Sequence, residues 1–367
     1  MRPERLVALR LQLVSHEFWP TWVRYVPIAG VIALESLRSG GLRTVLCANP
    51  GIPAAGLVGE HKTDILDHFP PGPHTLPTFR IPPGEPAERL ARLRELQREH
   101  PELGDDPLVL KPERGYRGFA VRIVRSDDDA IAYFRDVPIP ASVQRYHPGP
   151  VEVGLLWARH LDQVEREDPE RPAGRILDIC SKTFPEIVGD GVRTIEDLVW
   201  REPRLAVQRR VLLSRVRDAH AVPGKGERVA LGEIGNHIQG TKFTDGMRLH
   251  TPALAAAVDA LARSYRDAEG RGLDIGRFDA RAESNADLQA GRFAVLEFNG
   301  IAGEPTSMYD PARTPIGCWA TLARWVRTAY ALGRARRRLG VRPVSWRELY
   351  QLKRRDAAER RLGASST

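Results

Sequence analysis

Apolar positions along the chain fall into helical and alternating runs in mixed order. Behind Pro27, the residues Ile28, Val31, Ile32, Leu34 and Leu37 recur at helical spacing. They predict a helix over 27–39 that Ser39-Gly40-Gly41 ends. The apolar stretch 42–48 predicts a buried strand, closed by the turn Asn49-Pro50-Gly51. These two elements make a short α/β unit of residues 1–60. A helix is expected to start near Lys62. Residues 70–84, with six prolines, read as an ordered loop or linker. Leu90, Leu93 and Leu96 place a helix at 85–99. Strands at 107–111 and 119–125 then flank a glycine-bearing loop, before an Asp-capped helix at 127–135 and strands at 141–146 and 151–159. Residues 160–174 are a charged surface excursion. A strand at 175–182 and helices at 194–200 and 203–218 lead into a Gly-rich irregular stretch, 222–251, long enough to be a functional loop. A helix at 252–268 precedes two strands within 276–299. Residues 311–335 are helical, and the Arg-rich tail 331–367 is amphipathic around Trp346, Leu349 and Leu352.

The stretch 276–299 carries the most chemistry. Side chains alternate faces along a strand, so Arg277 and Asp279 share one face of the first strand, and Glu297 and Asn299 one face of the second. Phe278, Ala280, Leu296 and Phe298 occupy the opposite faces and suit a core. If the strands pair, one face presents two carboxylates, an amide oxygen and a guanidinium. Adjacent carboxylates repel unless a cation lies between them. Such hard oxygens suit Mg²⁺, which keeps waters and takes further ligands from phosphates; the alternative is a solvated polar face. In LVLKPERGYRGFAVRIV (108–124), a strand delivers Lys111 to a turn with Gly115 and Gly118. A lysine beside backbone N–H groups can hold phosphate, though this segment alone slightly favours an ordinary hairpin with a flexible turn. The strand–loop–strand pattern is neither a Walker loop nor a dinucleotide-binding fingerprint.

Bulk properties narrow the class. The 367 residues, 42% hydrophobic and 28% charged, have ordinary globular composition. No apolar run is long enough for a transmembrane helix, and the N-terminus lacks the pattern of a signal peptide. Cys47, Cys180 and Cys318 fit neither a disulfide framework nor a metal spacing, so a reducing cytoplasm is the default. The net charge of +8 fits an anionic substrate as well as nucleic acid, and much of it lies after residue 330. Phe18, Trp19 and Trp22, flanking Pro20, read as core, with the wall of a substrate pocket as the alternative. Trp319, Trp325 and Trp346 are core or the interface of a homodimer.

Taken in order, Lys111 with its glycine loop, Glu152 in VEVG, and Asp279 followed by Glu297 and Asn299 in LEFNG resemble the ATP-grasp superfamily. The resemblance spans roughly residues 56–312. It implies an α+β fold in which two α+β subdomains clamp ATP: an ATP-grasp region at 61–330, with a small glycine-loop subdomain at about 104–148, between the N-terminal unit and a basic helical tail at 331–367. By the same resemblance, Lys62, Lys111 and the loop with Gly115, Tyr116 and Gly118 contact phosphates. Gln144, Arg145, Tyr146 and Glu152 read adenine and ribose. Asp279, Glu297 and Asn299 bind Mg²⁺, as two ions that Mn²⁺ can replace, and Arg277 steadies the acyl phosphate. The hairpin resembles D-alanine–D-alanine ligase. The segments 182–199 and 235–245 look like cyanophycin synthetase and related peptide-bond-forming ligases, which adds Lys182, His237 and Lys242 as candidate catalytic residues. The implied activity is an ADP-forming carboxylate–amine ligase acting on small, amino-acid-like substrates. A phosphotransferase, a carboxylate–thiol ligase and a non-catalytic protein with a nucleic-acid-binding basic tail are the alternatives.

Overall fold

The computed structural model describes residues 3–59, 61–105, 107–114 and 120–364. The chain opens with helices α1 (Pro3–Val14) and α2 (Thr21–Arg38) and continues to α3 (Lys62–Leu66) with no strand before it among the described residues. The expected strand at 42–48 is instead a 3₁₀ segment, Leu42–Cys47. Its apolar residues find a helix rather than a sheet: Gly333 of α11 (Pro315–Arg338) lies so close that a Cβ there would sit 2.2 Å from the Thr44 carbonyl oxygen. Helix α2 also starts six residues before Pro27, which lies inside it on the exposed face. A helical proline removes one hydrogen bond, and here Ile28 and Glu35, both buried, hold the helix in place.

A four-stranded antiparallel sheet follows, ordered β1-β4-β2-β3. It comprises β1 (Thr78–Ile81), β2 (Leu108–Pro112), β3 (Arg122–Val124) and β4 (Ala141–Arg145), with helices α4 (Pro86–Glu99) and α5 (Asp127–Asp136) packed on one face. β1 lies within the proline-rich stretch read as a loop. Prolines tolerate an edge strand, where no ladder hydrogen bond is lost. The cap of α5 is Ser126, whose hydroxyl accepts from the Asp129 N–H, rather than an aspartate.

The larger antiparallel sheet, ordered β11-β10-β5-β6-β9, contains β5 (Val151–Arg159), β6 (Gly174–Thr183), β9 (Lys242–Asp245), β10 (Ile275–Ala282) and β11 (Ala294–Asn299). The connections add α6 (Leu161–Glu165), the ribbon of β7 (Glu186–Val188) and β8 (Arg228–Ala230), and helices α7 (Ile195–Arg201), α8 (Pro203–Leu213), α9 (Pro252–Ser264) and α10 (Asn285–Gln289). Leu254, Val258, Leu261 and Ala262 of α9 are buried against the sheet with Trp157, Phe278 and Phe298. Asp259 fastens this layer, accepting from Trp157 Nε1 (3.1 Å), Gly174 N (2.7 Å) and Ala173 N (2.9 Å). The fold is therefore α+β, as the sequence predicts.

The C-terminal helices complete the core. α11 packs on α2 and on the 3₁₀ segment, and α12 (Trp346–Ala364) contributes Leu349. Trp319 and Trp325 pack against buried clusters, whereas Trp346 is exposed beneath the Arg43 guanidinium. None of the helices is long and apolar enough to cross a membrane, among the described residues.

Candidate functional site

A cleft of about 740 Å³ runs between the two sheets. Its floor is the β10–β11 pair. The register sets Arg277 opposite Asn299 and Asp279 opposite Glu297, while Phe278 and Phe298 pair beneath them in the core. Alternation thus sends the four polar side chains to one face, and all four line the cleft. Gly154 of β5 stands beside Asp279 in the ladder. A Cβ there would lie 3.0 Å from Arg277 Cδ and 3.3 Å from Asp279 Oδ1. Gly154→Val should therefore splay these two side chains and cost about 1–3 kcal/mol of stability by overpacking. Denaturant titration of the variant measures that loss.

The site is a dense array of opposed charges. Arg277 grips Asp279 with two bonds, Nε to Oδ1 at 3.0 Å and Nη2 to Oδ2 at 3.1 Å. Lys182 Nζ adds 3.2 Å to Oδ1, and Asn299 Nδ2 donates to Oδ2 at 3.2 Å. Burial alone would raise the Asp279 pKa, but Arg277 and Lys182 outweigh it and hold it at about 2. Burial likewise pulls the Lys182 ammonium down, yet Asp279 and Glu152 raise it overall. Lys182 donates to Glu152 Oε1 at 2.9 Å, and the other Glu152 oxygen accepts from Arg281 Nε at 2.9 Å. Glu152 is thus enclosed between two cations.

From the smaller sheet, Lys111 Nζ donates to Gln144 Oε1 and to the Leu296 carbonyl, both at 2.9 Å. Its burial lowers its pKa to about 8. Lys62 on α3 reaches Glu297 Oε1 at 3.1 Å. Glu113, one residue past β2, anchors this helix: its Oε2 accepts from the Thr63 hydroxyl at 2.7 Å, and its carbonyl accepts from Lys62 N at 3.3 Å. One short segment therefore sets both lysines.

Of the residues singled out in the sequence, Lys62, Lys111, Gln144, Tyr146, Glu152, Lys182, His237, Arg277, Asp279, Glu297 and Asn299 all line this cleft. Arg145 and Lys242 do not. Each is exposed and alternates with a neighbour, Gln144 or Phe243, that points in. Gly115, Tyr116 and Gly118 lie outside the described residues.

At the far end of the cleft, reading by motif finds His237 but not the residues around it. Phe18 and Trp19, from the N-terminal aromatic segment, join Phe243 and Tyr309 as its walls. Glu17 accepts from Arg204 Nε at 3.2 Å and lies 3.1 Å from His237 Nε2 through the same oxygen. Arg204 also donates to the carbonyls of Gly240 (2.7 Å) and Thr241 (3.0 Å), which fixes the loop bearing His237. The sequence signals for this region were His237, in the segment 235–245, and the cluster of aromatics around Pro20. Arg281, next but one to Asp279 and on the same face of β10, was legible from alternation but not singled out.

The oxygens on the cleft floor are of the kind that would hold a hard divalent cation, though Arg277, Lys182 and Asn299 already donate to Asp279 and Lys62 to Glu297. Asp279 and Glu297 are directly opposed, Asn299 is adjacent, and Glu297 keeps a side-chain exposure of 30%. Among the described residues no three His, Cys, Asp or Glu side chains converge on one point. Such a short donor set suits Mg²⁺, which keeps waters and draws remaining ligands from substrate phosphates.

No known protein family matches the sequence, and a search among curated proteins finds no relative. Solved structures with partial overlap include the D-cycloserine synthetase DcsG, at 15% identity over 83% of this chain and 81% of that one, with a TM-score of 0.38. A D-alanine–D-alanine ligase from Bacillus anthracis overlaps 73% of this chain and 65% of its own, at 15% identity and a TM-score of 0.38. A bifunctional glutathione synthetase from Pasteurella multocida overlaps 62% of this chain at 13% identity and a TM-score of 0.30, and the chain spans 30% of its length. At TM-scores of 0.38 and below, these likenesses carry no argument of their own. The reading below rests on the cleft.

Proposed function

We propose that this protein is an ATP-grasp ligase: it activates a carboxylate as an acyl phosphate at the expense of ATP and joins it to an amine. One observation carries this reading. Lys62, Lys111, Lys182 and Arg277 meet the directly opposed Asp279 and Glu297 in one cleft between two sheets. An array that binds polyanions and also holds hard oxygen donors suits a nucleoside triphosphate with its metal.

In this reading Lys111 and Lys62 hold phosphate oxygens from the small-sheet side, and Gln144 and Tyr146 border the nucleotide. Asp279, Glu297 and Asn299 would hold Mg²⁺, which would supply neutralisation of phosphate charge. Phosphoryl transfer needs mainly positioning and charge neutralisation. Arg277, held in place by Asp279 and the Glu304 carbonyl, faces the oxygen on which negative charge grows as the amine attacks. The amine displaces phosphate and leaves an amide. The substrates are small and amino-acid-like.

Release of ADP, screened against amino acids and small carboxylates and followed by mass analysis of the product, tests the activity. Mg²⁺-dependent ADP release with an amide product is expected. ATP turnover with no new C–N bond under any substrate pair contradicts it. Lys111 adds a pH signature. Its ammonium charge is lost as pH rises through about 8. By linkage, ATP affinity should then weaken by up to about tenfold per pH unit above that point. In Lys111→Arg the affinity should stay level over the same range. Calorimetric titration at several pH values reads both.

A further inference from the structure

The aromatic end of the cleft contains a histidine held by a buried carboxylate, and the reading above assigns it no task. We propose that His237 takes the proton from the incoming amine, and that Glu17 is the positioning residue that aims it. This rests on the ligase reading and assigns the amine to the chamber walled by Phe18, Trp19, Phe243 and Tyr309. An amine presents itself at neutral pH as an ammonium, which has no lone pair to attack with, so a base must act before the C–N bond forms.

The geometry supplies one. His237 Nε2 lies 3.1 Å from Glu17 Oε2, so Nε2 carries the hydrogen and Nδ1 keeps the lone pair. The ring is stacked on Tyr309, with centroids 4.9 Å apart, and lies 5.6 Å from Phe243 and 6.0 Å from Phe18. Three elements therefore fix its plane. Glu17 is itself 3% exposed and tied to Arg204, so it cannot swing away with solvent. The charged groups facing the imidazole are Glu17, Arg204 and Arg24, the last lying over the Tyr309 ring at 4.7 Å. Burial lowers the histidine pKa, Glu17 opposes this, and Arg204 and Arg24 reinforce it. The ring is neutral at pH 7 and able to accept.

The step balances as follows. The ammonium gives one proton to Nδ1. The freed nitrogen lone pair forms the C–N bond, the bond from the acyl carbon to the phosphate oxygen breaks, and phosphate leaves with the electron pair. A second amine proton goes to phosphate, and His237 returns its own to solvent.

Hydroxylamine, uncharged near neutral pH, needs no base and intercepts an acyl phosphate as a hydroxamate. His237→Gln should therefore lose ~10²-fold or more in amide formation with amino acids, while hydroxamate formation stays within about twofold of native. The retained hydroxamate also shows that the variant is folded. Glu17→Gln removes the charge that raises the histidine pKa, so the acidic limb of its amide-forming rate should move to lower pH. Equal loss of amide and hydroxamate in His237→Gln, or an unmoved acidic limb in Glu17→Gln, overturns the assignment. Absence of hydroxamate from native enzyme with every carboxylate overturns the ligase reading beneath it.

Discussion

Replacing Arg277 with alanine should lower turnover ~10²–10³-fold, the usual cost of removing one preorganised oxyanion donor. The guanidinium does two things at once. It binds both oxygens of Asp279, and it donates to the Glu304 carbonyl at 2.8 Å, which aims its plane along the cleft floor. In the alanine variant Asp279 keeps Lys182 and Asn299 as donors, so the carboxylate stays compensated and the sheet should persist. Loss of Arg277 nonetheless lets the Asp279 pKa rise from about 2, since burial then meets one cation fewer. Arg277→Lys restores the charge but not the planar fork, so it should recover only part of the rate. Glu297→Gln should also lose most activity, because it removes the charge of one of the two opposed carboxylates and its ion pair with Lys62. Steady-state ADP release read beside thermal unfolding separates these effects. Near-native turnover in Arg277→Ala, with a true substrate pair, contradicts the role given to it.

A second large effect is expected far from the chemistry. Asp274 is fully buried and accepts from Arg159 Nε at 2.8 Å and from Arg336 Nε and Nη2 at 2.6 and 2.7 Å. It joins the start of β10 to β5 and to the long helix α11. Asp274→Ala leaves the buried Arg159 guanidinium facing the partly exposed Arg336, with Glu167, 3.6 Å from Arg159, as the remaining carboxylate, a change that costs ~3–5 kcal/mol. Part of the cost should return in the Asp274→Ala, Arg336→Met double variant, which removes one of the stranded cations. Urea unfolding provides the measurement. A loss below about 1 kcal/mol would place this triad among weak surface pairs instead. Because β10 also carries Arg277 and Asp279, the same variant should weaken nucleotide binding.

The sequence made the cleft floor legible because alternation holds across Arg277, Asp279, Glu297 and Asn299, although a register shift after Asp279 brings Leu296, read as core, to the lining of the cleft. Once Phe278 and Phe298 are read as core, the faces of Arg277, Asp279, Glu297 and Asn299 follow. The same rule, carried further, would have turned Arg145 and Lys242 outward, since their neighbours Gln144 and Phe243 belong inside. Long periodic helices such as α9 were also legible. Less visible were elements decided by tertiary contact. Residues 42–47 have the composition of a strand but coil into a 3₁₀ segment against α11, where Gly333 admits them. β1 hides among prolines, and β9 among glycines. The Glu17–His237 contact joins residues 220 positions apart, and no local pattern announces it.

Oxygen tracing decides whether the cleft transfers a phosphoryl group from ATP to a carboxylate. With both carboxylate oxygens of the acid substrate labelled with ¹⁸O, amide formation should deliver one labelled oxygen to each inorganic phosphate, read by mass spectrometry. Label appearing in AMP, or phosphate free of label while amide accumulates, would contradict it.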